Sequence, residues 1–158
     1  MNILIIGCGR LGSRLATVLD LQGHDIVIID SNSENLDSLD ESFNGLAIQG
    51  NHIDLDVLKS AGIEGCDYVL CLTQSDNQNL MASQIAKNIF NVPYIIARVL
   101  DPVKAHVYED LGVDIICSTT LAFEAVCARL FASADNKIIH YGGSTLEINT
   151  VPYERWMK

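Results

Sequence analysis

Three glycines near the amino terminus form the pattern with the clearest chemistry in this 158-residue chain. They stand in Gly7-Cys8-Gly9-Arg10-Leu11-Gly12, directly after the apolar run Ile3 to Ile6. Glycines at these positions permit a tight turn, a close approach of the backbone to a phosphate, and close packing of a helix on a strand. Free N–H groups and the positive end of the helix dipole then favour a bound diphosphate. The loop therefore predicts a nucleotide site.

An acidic residue at the end of the next apolar run narrows the choice of nucleotide. Asp30 lies 18 residues after Gly12, close to the usual spacing of about 20. A carboxylate there accepts hydrogen bonds from the adenosine ribose and repels a 2′-phosphate. Ser31 follows it, and no arginine stands nearby to receive that phosphate. We predict NAD(H), with ADP, ATP or AMP as alternatives, and we disfavour NADP(H).

Polar residues also follow the later apolar runs, where the carboxyl ends of parallel strands place ligand contacts. Asn51 and His52 follow the third run and are candidates for contacts with adenine, although a surface turn explains them almost as well. Thr73 and Gln74 follow the fourth run, beside the point where the predicted strand order reverses. Their alternative role is helix capping.

Two arginines are candidates for phosphate contacts. Arg10 lies inside the glycine loop, and its alternative is a solvated side chain in the first turn of the helix. Arg98 stands within an apolar run. Since a buried guanidinium needs a charged partner, we expect either a phosphate or a carboxylate beside it.

The residues favour a binding module over an enzyme. A dehydrogenase needs a proton donor or acceptor beside the nicotinamide, and a second domain usually supplies part of that pocket. Of the four histidines only His52 falls near the predicted site, and no Cys/His spacing indicates zinc. We assign no catalytic and no metal-binding residue. The alternative is a small NAD-dependent oxidoreductase or a fragment of one.

Six short apolar runs alternate with helix-like stretches and must position these residues. The runs are Ile3–Ile6, Ile26–Ile29, Leu46–Ile48, Tyr68–Leu72, Tyr94–Val99 and Ile115–Cys117. Continuous apolar runs are typical of parallel strands covered on both faces. The repeated β-α pattern predicts an α/β fold of the Rossmann type: a doubly wound, parallel, six-stranded sheet in the order 3-2-1-4-5-6.

Helix ends and the domain boundary can also be placed. Capping boxes are predicted at Ser31 with Glu34 and at Ser75 with Gln78; an N-cap is predicted at Asp101, and helix-ending glycines at Gly23, Gly62 and Gly112. The last helix, from Thr120 to Ser133, is apolar on more than one face, so it either packs on the sheet edge or partly docks on a second subunit. We divide the chain into a nucleotide-binding domain, 1–134, and a short β-like tail, 135–158, with strands at 137–140 and 145–151.

The composition excludes several classes of partner. The net charge of −10 argues against nucleic acid, which needs a basic surface. The number of cysteines, five, is odd and no C-x-x-C pair occurs, which favours a reducing, cytoplasmic setting. No signal peptide is recognisable, and no apolar run reaches the roughly 20 residues of a membrane span. We therefore expect no direct insertion into the membrane.

The motifs together resemble the TrkA N-terminal domain, also called the RCK or KTN domain. Beyond the glycine loop and Asp30, the resemblance lies in Gly50–Asn51, Leu58–Ile63, Cys66–Thr73, Asn79–Leu80, Ile96–Val99 and Leu111–Asp114. Members are cytosolic regulators of potassium channels and transporters that bind NAD(H), ADP or ATP. The resemblance implies a membrane-embedded potassium transporter or channel as partner, a location at the inner face of the membrane, and a homodimer, commonly within an octameric ring.

The resemblance also implies roles for individual residues. The glycine loop and Arg10 would hold phosphates, Asp30 the ribose, Asn51 and Thr73 the adenosine, and Arg98 again the phosphates. Family members often have aspartate at the position of Asn51, so contacts there differ. Some carry a glutamate where this chain reads Ser118-Thr119-Thr120, which argues against a divalent-metal site at that place.

Overall fold

A computed structural model of the chain describes residues 1–130, 138–141 and 144–147. The strands are β1 (Asn2–Ile6), β2 (Asp25–Asp30), β3 (Leu46–Gln49), β4 (Tyr68–Cys71), β5 (Tyr94–Val99), β6 (Asp114–Cys117), β7 (Ile138–Tyr141) and β8 (Ser144–Glu147). The helices are α1 (Arg10–Leu21), α2 (Ser33–Asp37), α3 (Leu55–Ser60), α4 (Asp76–Asn88), α5 (Pro102–Tyr108) and α6 (Ser118–Leu130). Two short 3-10 turns, Ile63–Gly65 and Glu109–Leu111, complete them.

The first six strands form one parallel sheet in the order β3-β2-β1-β4-β5-β6, which confirms the predicted topology. Ile6 at the end of β1 is paired with Ile29 of β2 and with Cys71 of β4. Because the three strands end almost level, the loops that follow them meet at one edge. That edge is the reversal point of the strand order, where ligands bind in doubly wound sheets.

The two faces of β1 contribute to two separate hydrophobic clusters. Leu4 and Ile6 pack with residues of α3 and α4, such as Leu58 and Ala82. Ile3 and Ile5 pack on the other face with residues that include Ala16 of α1. Since successive side chains of a strand point to opposite faces and both faces are covered, the strand must be apolar throughout.

The predicted N-caps are confirmed except at α2. Asn32, not Ser31, is the N-cap there, because its side chain in extended backbone accepts a hydrogen bond from the Glu34 N–H at 3.0 Å. The Ser75 hydroxyl accepts from the Gln78 N–H at 3.4 Å, as predicted, and the Asp101 carboxylate accepts from the Val103 N–H at 3.0 Å. The predicted helix-ending glycines all have positive φ: Gly23, Gly62 and Gly112.

The carboxyl-terminal part partly matches its prediction. α6 begins at Ser118 rather than Thr120, and its predicted end at Ser133 lies outside the described residues. β7 and β8 form an antiparallel pair in which Ile138 is opposite Glu147, so the two predicted tail strands are present; the predicted extension to Val151 lies outside the described residues. Contacts divide the chain into Met1–Thr119 and Thr120–Lys158, and the boundary at residue 134 stays a prediction. Among the described helices, none has the length and apolar character to cross a membrane.

Candidate nucleotide-binding site

A cavity of about 290 Å³ lies at the carboxyl ends of the central strands. From the predicted site residues it brings together Gly7, Gly9, Asp30, Ser31, His52, Thr73 and Gln74. Four further residues line it that were not assigned to the site: Asn32, Asn35, Leu72 and Gln78. The sequence predicts Gln78 only as part of a capping box, so its place in the cavity wall is not foreseen.

The fold places different demands on the three glycines of the loop. Gly7 has a φ of +103°, and a Cβ there would lie 2.8 Å from the backbone nitrogen of Thr73. A Cβ on Gly12 would overlap the carbonyl oxygen of Gly7. Gly9 has φ −75° and ψ −173°, which any residue adopts, and a Cβ there would meet nothing within 4 Å. The folded chain therefore requires Gly7 and Gly12, whereas Gly9 faces open space.

The first turn of α1 offers unbonded backbone donors beside Gly9. The N–H of Ser13 donates to the carbonyl oxygen of Gly9 at 2.9 Å, and no side chain caps this helix end. The N–H groups of Arg10, Leu11 and Gly12 therefore have no partner within the helix. Together with the helix dipole they form a site at which an anion is stabilised.

Asp30 anchors the glycine loop. One carboxylate oxygen, Oδ2, accepts from the Cys8 N–H at 2.7 Å. The other, Oδ1, accepts from the Asn32 N–H at 2.9 Å and the Asn35 side-chain amide at 3.1 Å. Since a carboxylate has about four acceptor positions, roughly one remains for a ligand hydroxyl.

Cys8 belongs to the framework of the loop. Its side chain is buried, and its Sγ lies 3.2 Å from the carbonyl oxygen of Asn35, to which the thiol donates. Burial, and secondarily the charge of Asp30, raise the pKa of this thiol to about 11. The thiol is therefore protonated at neutral pH and supplies no nucleophile.

His52 lies almost fully inside the protein, with 5% of its surface exposed. Neither ring nitrogen has a hydrogen-bond partner, although Gln78 lines the same cavity. Burial lowers the pKa of the imidazole below 6.5, and the charge of Asp30 and the amide of Gln78 oppose this only in part. The ring is therefore neutral at neutral pH, with one donor and one acceptor.

Asn79 holds the loop after β4 in place. The residue is fully buried. Its side-chain oxygen accepts from the Thr73 N–H at 2.8 Å and from the Thr73 hydroxyl at 2.7 Å. Its amide donates to the carbonyl oxygens of Thr73 at 3.0 Å and Arg98 at 2.8 Å. Thr73 is thus fixed at the cavity wall, while Gln74 is exposed at the rim.

The other candidates do not line the cavity. Arg10 lines a separate, open hollow beside α1, together with Ser38 and Asp40. Asn51 is exposed, and its side-chain oxygen accepts from the Ile53 N–H at 3.2 Å. Arg98 is only half-buried, and its Nε donates to the Ser118 hydroxyl at 3.4 Å. The phosphate contact predicted for Arg98 stays a prediction.

The TrkA-N domain family matches residues 3–119 of the chain. The chain belongs to this family. It is 36% identical over 133 residues to the Trk system potassium uptake protein TrkA of Streptomyces coelicolor, an alignment that covers 84% of this chain and 60% of that protein. The chain thus spans about three fifths of the length of this relative.

Solved structures with the same fold include two whose descriptions name a bound nucleotide. The structure of the GsuK channel bound to NAD has a TM-score of 0.72 and 21% identity, covering 89% of this chain and 25% of that one. The Shewanella denitrificans Kef CTD in AMP bound form has a TM-score of 0.68 and 24% identity, covering 84% of both chains. At these identities the similarity establishes the fold alone. The family match and these structures agree on the fold of this chain.

Proposed function

We propose that this TrkA-N chain is a nucleotide-sensing regulatory subunit of a membrane potassium uptake system. The observation behind the proposal is the cavity lined by Gly9 and Asp30. It combines open space at Gly9 with a remaining acceptor position on Asp30, and the uncapped first turn of α1 begins directly after Gly9. Potassium uptake is the function in the name of the Streptomyces relative. Two proteins of the same fold are described as bound to NAD and to AMP.

The proposed ligand is NAD(H), with ADP, ATP and AMP as alternatives and NADP(H) disfavoured. A 2′-phosphate near Asp30 would meet a carboxylate, and the neighbouring Ser31 and Asn32 offer no cation. The volume of about 290 Å³ lies at the lower end of the range for ligand pockets, roughly 300–1,000 Å³. It suits the adenosine part of any of these nucleotides, with the remainder extending over the glycine loop.

The proposed assembly is a homodimer, within an octameric ring where the family forms one, at the cytoplasmic face of a potassium transporter or channel. The apolar side chains of Phe123 and Val126 in α6 are 67% and 54% exposed. Exposed apolar side chains on one helix are typical of a surface that packs against a partner. The transporter, not this chain, would supply the membrane-spanning segments.

Calorimetric titration and thermal unfolding with NAD+, NADH, NADPH, AMP, ADP and ATP test the nucleotide site. A ligand at 100 times its dissociation constant adds about 2.7 kcal/mol of stability, which raises the unfolding temperature by about 5–10 °C for a chain of this size. We expect this response with NAD(H) and not with NADPH. No response to any of the six nucleotides would refute the proposal.

Transport and turnover assays test the role. Rubidium uptake by cells that carry Gly9→Ala in the chromosomal gene should lose its dependence on the nucleotide, with Gly65→Ala as the matched control. The alternative, a small NAD-dependent oxidoreductase, predicts consumption of NADH with a panel of carbonyl compounds. Turnover that is lost on replacing His52 would favour that alternative over the regulatory role.

A further inference from the structure

His52 is the polar side chain of the cavity that the fold leaves unsatisfied. Asp30 makes three hydrogen bonds within the protein, and the side chain of Asn79 behind the wall is fully bonded. His52, in contrast, is 95% removed from solvent, and neither ring nitrogen makes a hydrogen bond of good geometry, although the Gln78 amide lies close enough to affect the pKa of the ring. A buried polar atom without a partner costs about 1–3 kcal/mol. The fold bears this cost at a residue that lines the cavity.

The hydrogen-bonding capacity of Asp30 defines what His52 can contact. A ribose presents two neighbouring hydroxyl groups, but the Asp30 carboxylate has room for about one further hydrogen bond. The second hydroxyl therefore needs another partner in the same cavity. His52 lines that cavity, and the charge of Asp30 is felt at its ring.

We propose that His52 is a specificity-determining residue of the nucleotide site: the ribose diol of the bound adenosine bridges the Asp30 carboxylate and the His52 imidazole. This inference rests on the proposed nucleotide binding and adds a second ribose contact to it. A neutral imidazole pairs with a hydroxyl as donor or acceptor. A 2′-phosphate would lose this contact in addition to meeting the carboxylate.

A cycle of two changes, one in the protein and one in the ligand, tests the contact. The full chain and the variant His52→Phe, which retains a buried ring without hydrogen-bonding atoms, are titrated with AMP and with 2′,3′-dideoxy-AMP. The loss of affinity from AMP to the dideoxy compound should be about tenfold greater in the unsubstituted chain than in the variant. An equal loss in both proteins would overturn the proposal.

The variant also separates ligand binding from folding. Because His52→Phe removes two unsatisfied nitrogens from the interior, we expect the unliganded variant to unfold at the same or a higher temperature while it binds AMP about tenfold more weakly. A residue that served the fold alone would lower the unfolding temperature and leave the ratio of AMP to dideoxy-AMP affinity unchanged. His24→Phe, before β2 at the opposite end of the sheet, is the matched control and should bind both ligands like the unsubstituted chain.

A second readout needs no variant of His52. In the unsubstituted chain the ring resonances of His52 should shift on addition of AMP and stay in place with saturating dideoxy-AMP. Equal shifts with both compounds would contradict a ribose contact. If the unsubstituted chain binds no adenine nucleotide, the proposed function itself fails; if it binds AMP but the affinity ratio is the same in the Phe variant, only the His52 contact fails.

Discussion

Replacing Gly9 by alanine should separate the needs of the fold from the needs of the ligand. The backbone at Gly9 is in a region open to alanine, and the new methyl group would meet no atom within 4 Å. The free energy of unfolding should therefore be unchanged or rise by up to about 1 kcal/mol, because alanine restricts the unfolded chain. The methyl group would, however, occupy the space through which the phosphate of the proposed nucleotide would approach the first turn of α1.

The magnitude of the loss follows from the hydrogen bonds at that turn. A hydrogen bond between a charged phosphate and a backbone N–H contributes about 1.5–3 kcal/mol. Displacing one such bond weakens binding by about 10- to 100-fold. The assay is calorimetric titration of Gly9→Ala with NAD(H) and AMP beside urea denaturation of the same preparation.

Two other glycines provide the comparison. Gly12→Ala should destabilise the fold by about 1–3 kcal/mol or more, since its Cβ would overlap the backbone of Gly7. Gly65→Ala, also in open space but before β4 at the other end of the sheet, should change neither stability nor affinity. Wild-type affinity in Gly9→Ala would contradict a phosphate contact beside Gly9, and a destabilisation equal to that of Gly12→Ala would contradict the open space at this position.

Three further predictions concern the residues around the loop. Asp30→Ala should lower the free energy of unfolding by about 1–3 kcal/mol, because the buried Cys8 N–H loses its acceptor; an unchanged urea midpoint would contradict this. Cys8 and Cys71, whose thiols have pKa values raised by burial to about 11 and about 12, should be alkylated at mildly alkaline pH only on unfolding; mass spectrometry showing equal rates in folded and unfolded protein would be evidence against it. Burial lowers the pKa of His52 below 6.5 in the folded chain, so the unfolded chain binds the proton first and the free energy of unfolding falls as the pH drops from 6.5 towards the folded pKa. Urea midpoints should fall less steeply over this range in His52→Phe, and identical slopes would exclude His52 as the cause.

The strand order and the glycine loop were predictable because both depend on local sequence. Apolar runs of three to six residues, separated by capped helices, permit few topologies once crossovers are right-handed. The position of Asp30 at the end of β2 follows from the same pattern. Its three hydrogen bonds do not, since Asn35 reaches the carboxylate only after α2 has turned back over the strand end.

The sequence is less informative where the role of a residue depends on its burial or on competition with a neighbouring side chain. Ser31 and Asn32 are both good N-caps, and the choice falls to Asn32 because its side chain, in extended backbone, accepts from the Glu34 N–H. Arg98 looked buried because its neighbours are apolar, yet it lies in β5, where its side chain is half-exposed. Asn79 was named only within the segment Asn79–Leu80 that carries the family resemblance, and only the assembled sheet shows that its side chain joins the ends of β4 and β5.

The features that the fold itself does not require are the ones that locate the site. Gly7 and Gly12 are needed for chain geometry, and Asp30 and Asn79 are bonded within the protein. Gly9 and His52 have no such reason: one is a glycine with free space around it, and the other is a buried ring without partners. Alanine and an apolar ring would serve stability better at these two places. Both residues line the same cavity, so binding of a single ligand would explain both. A functional site is expected to lose some stability in this way in favour of binding.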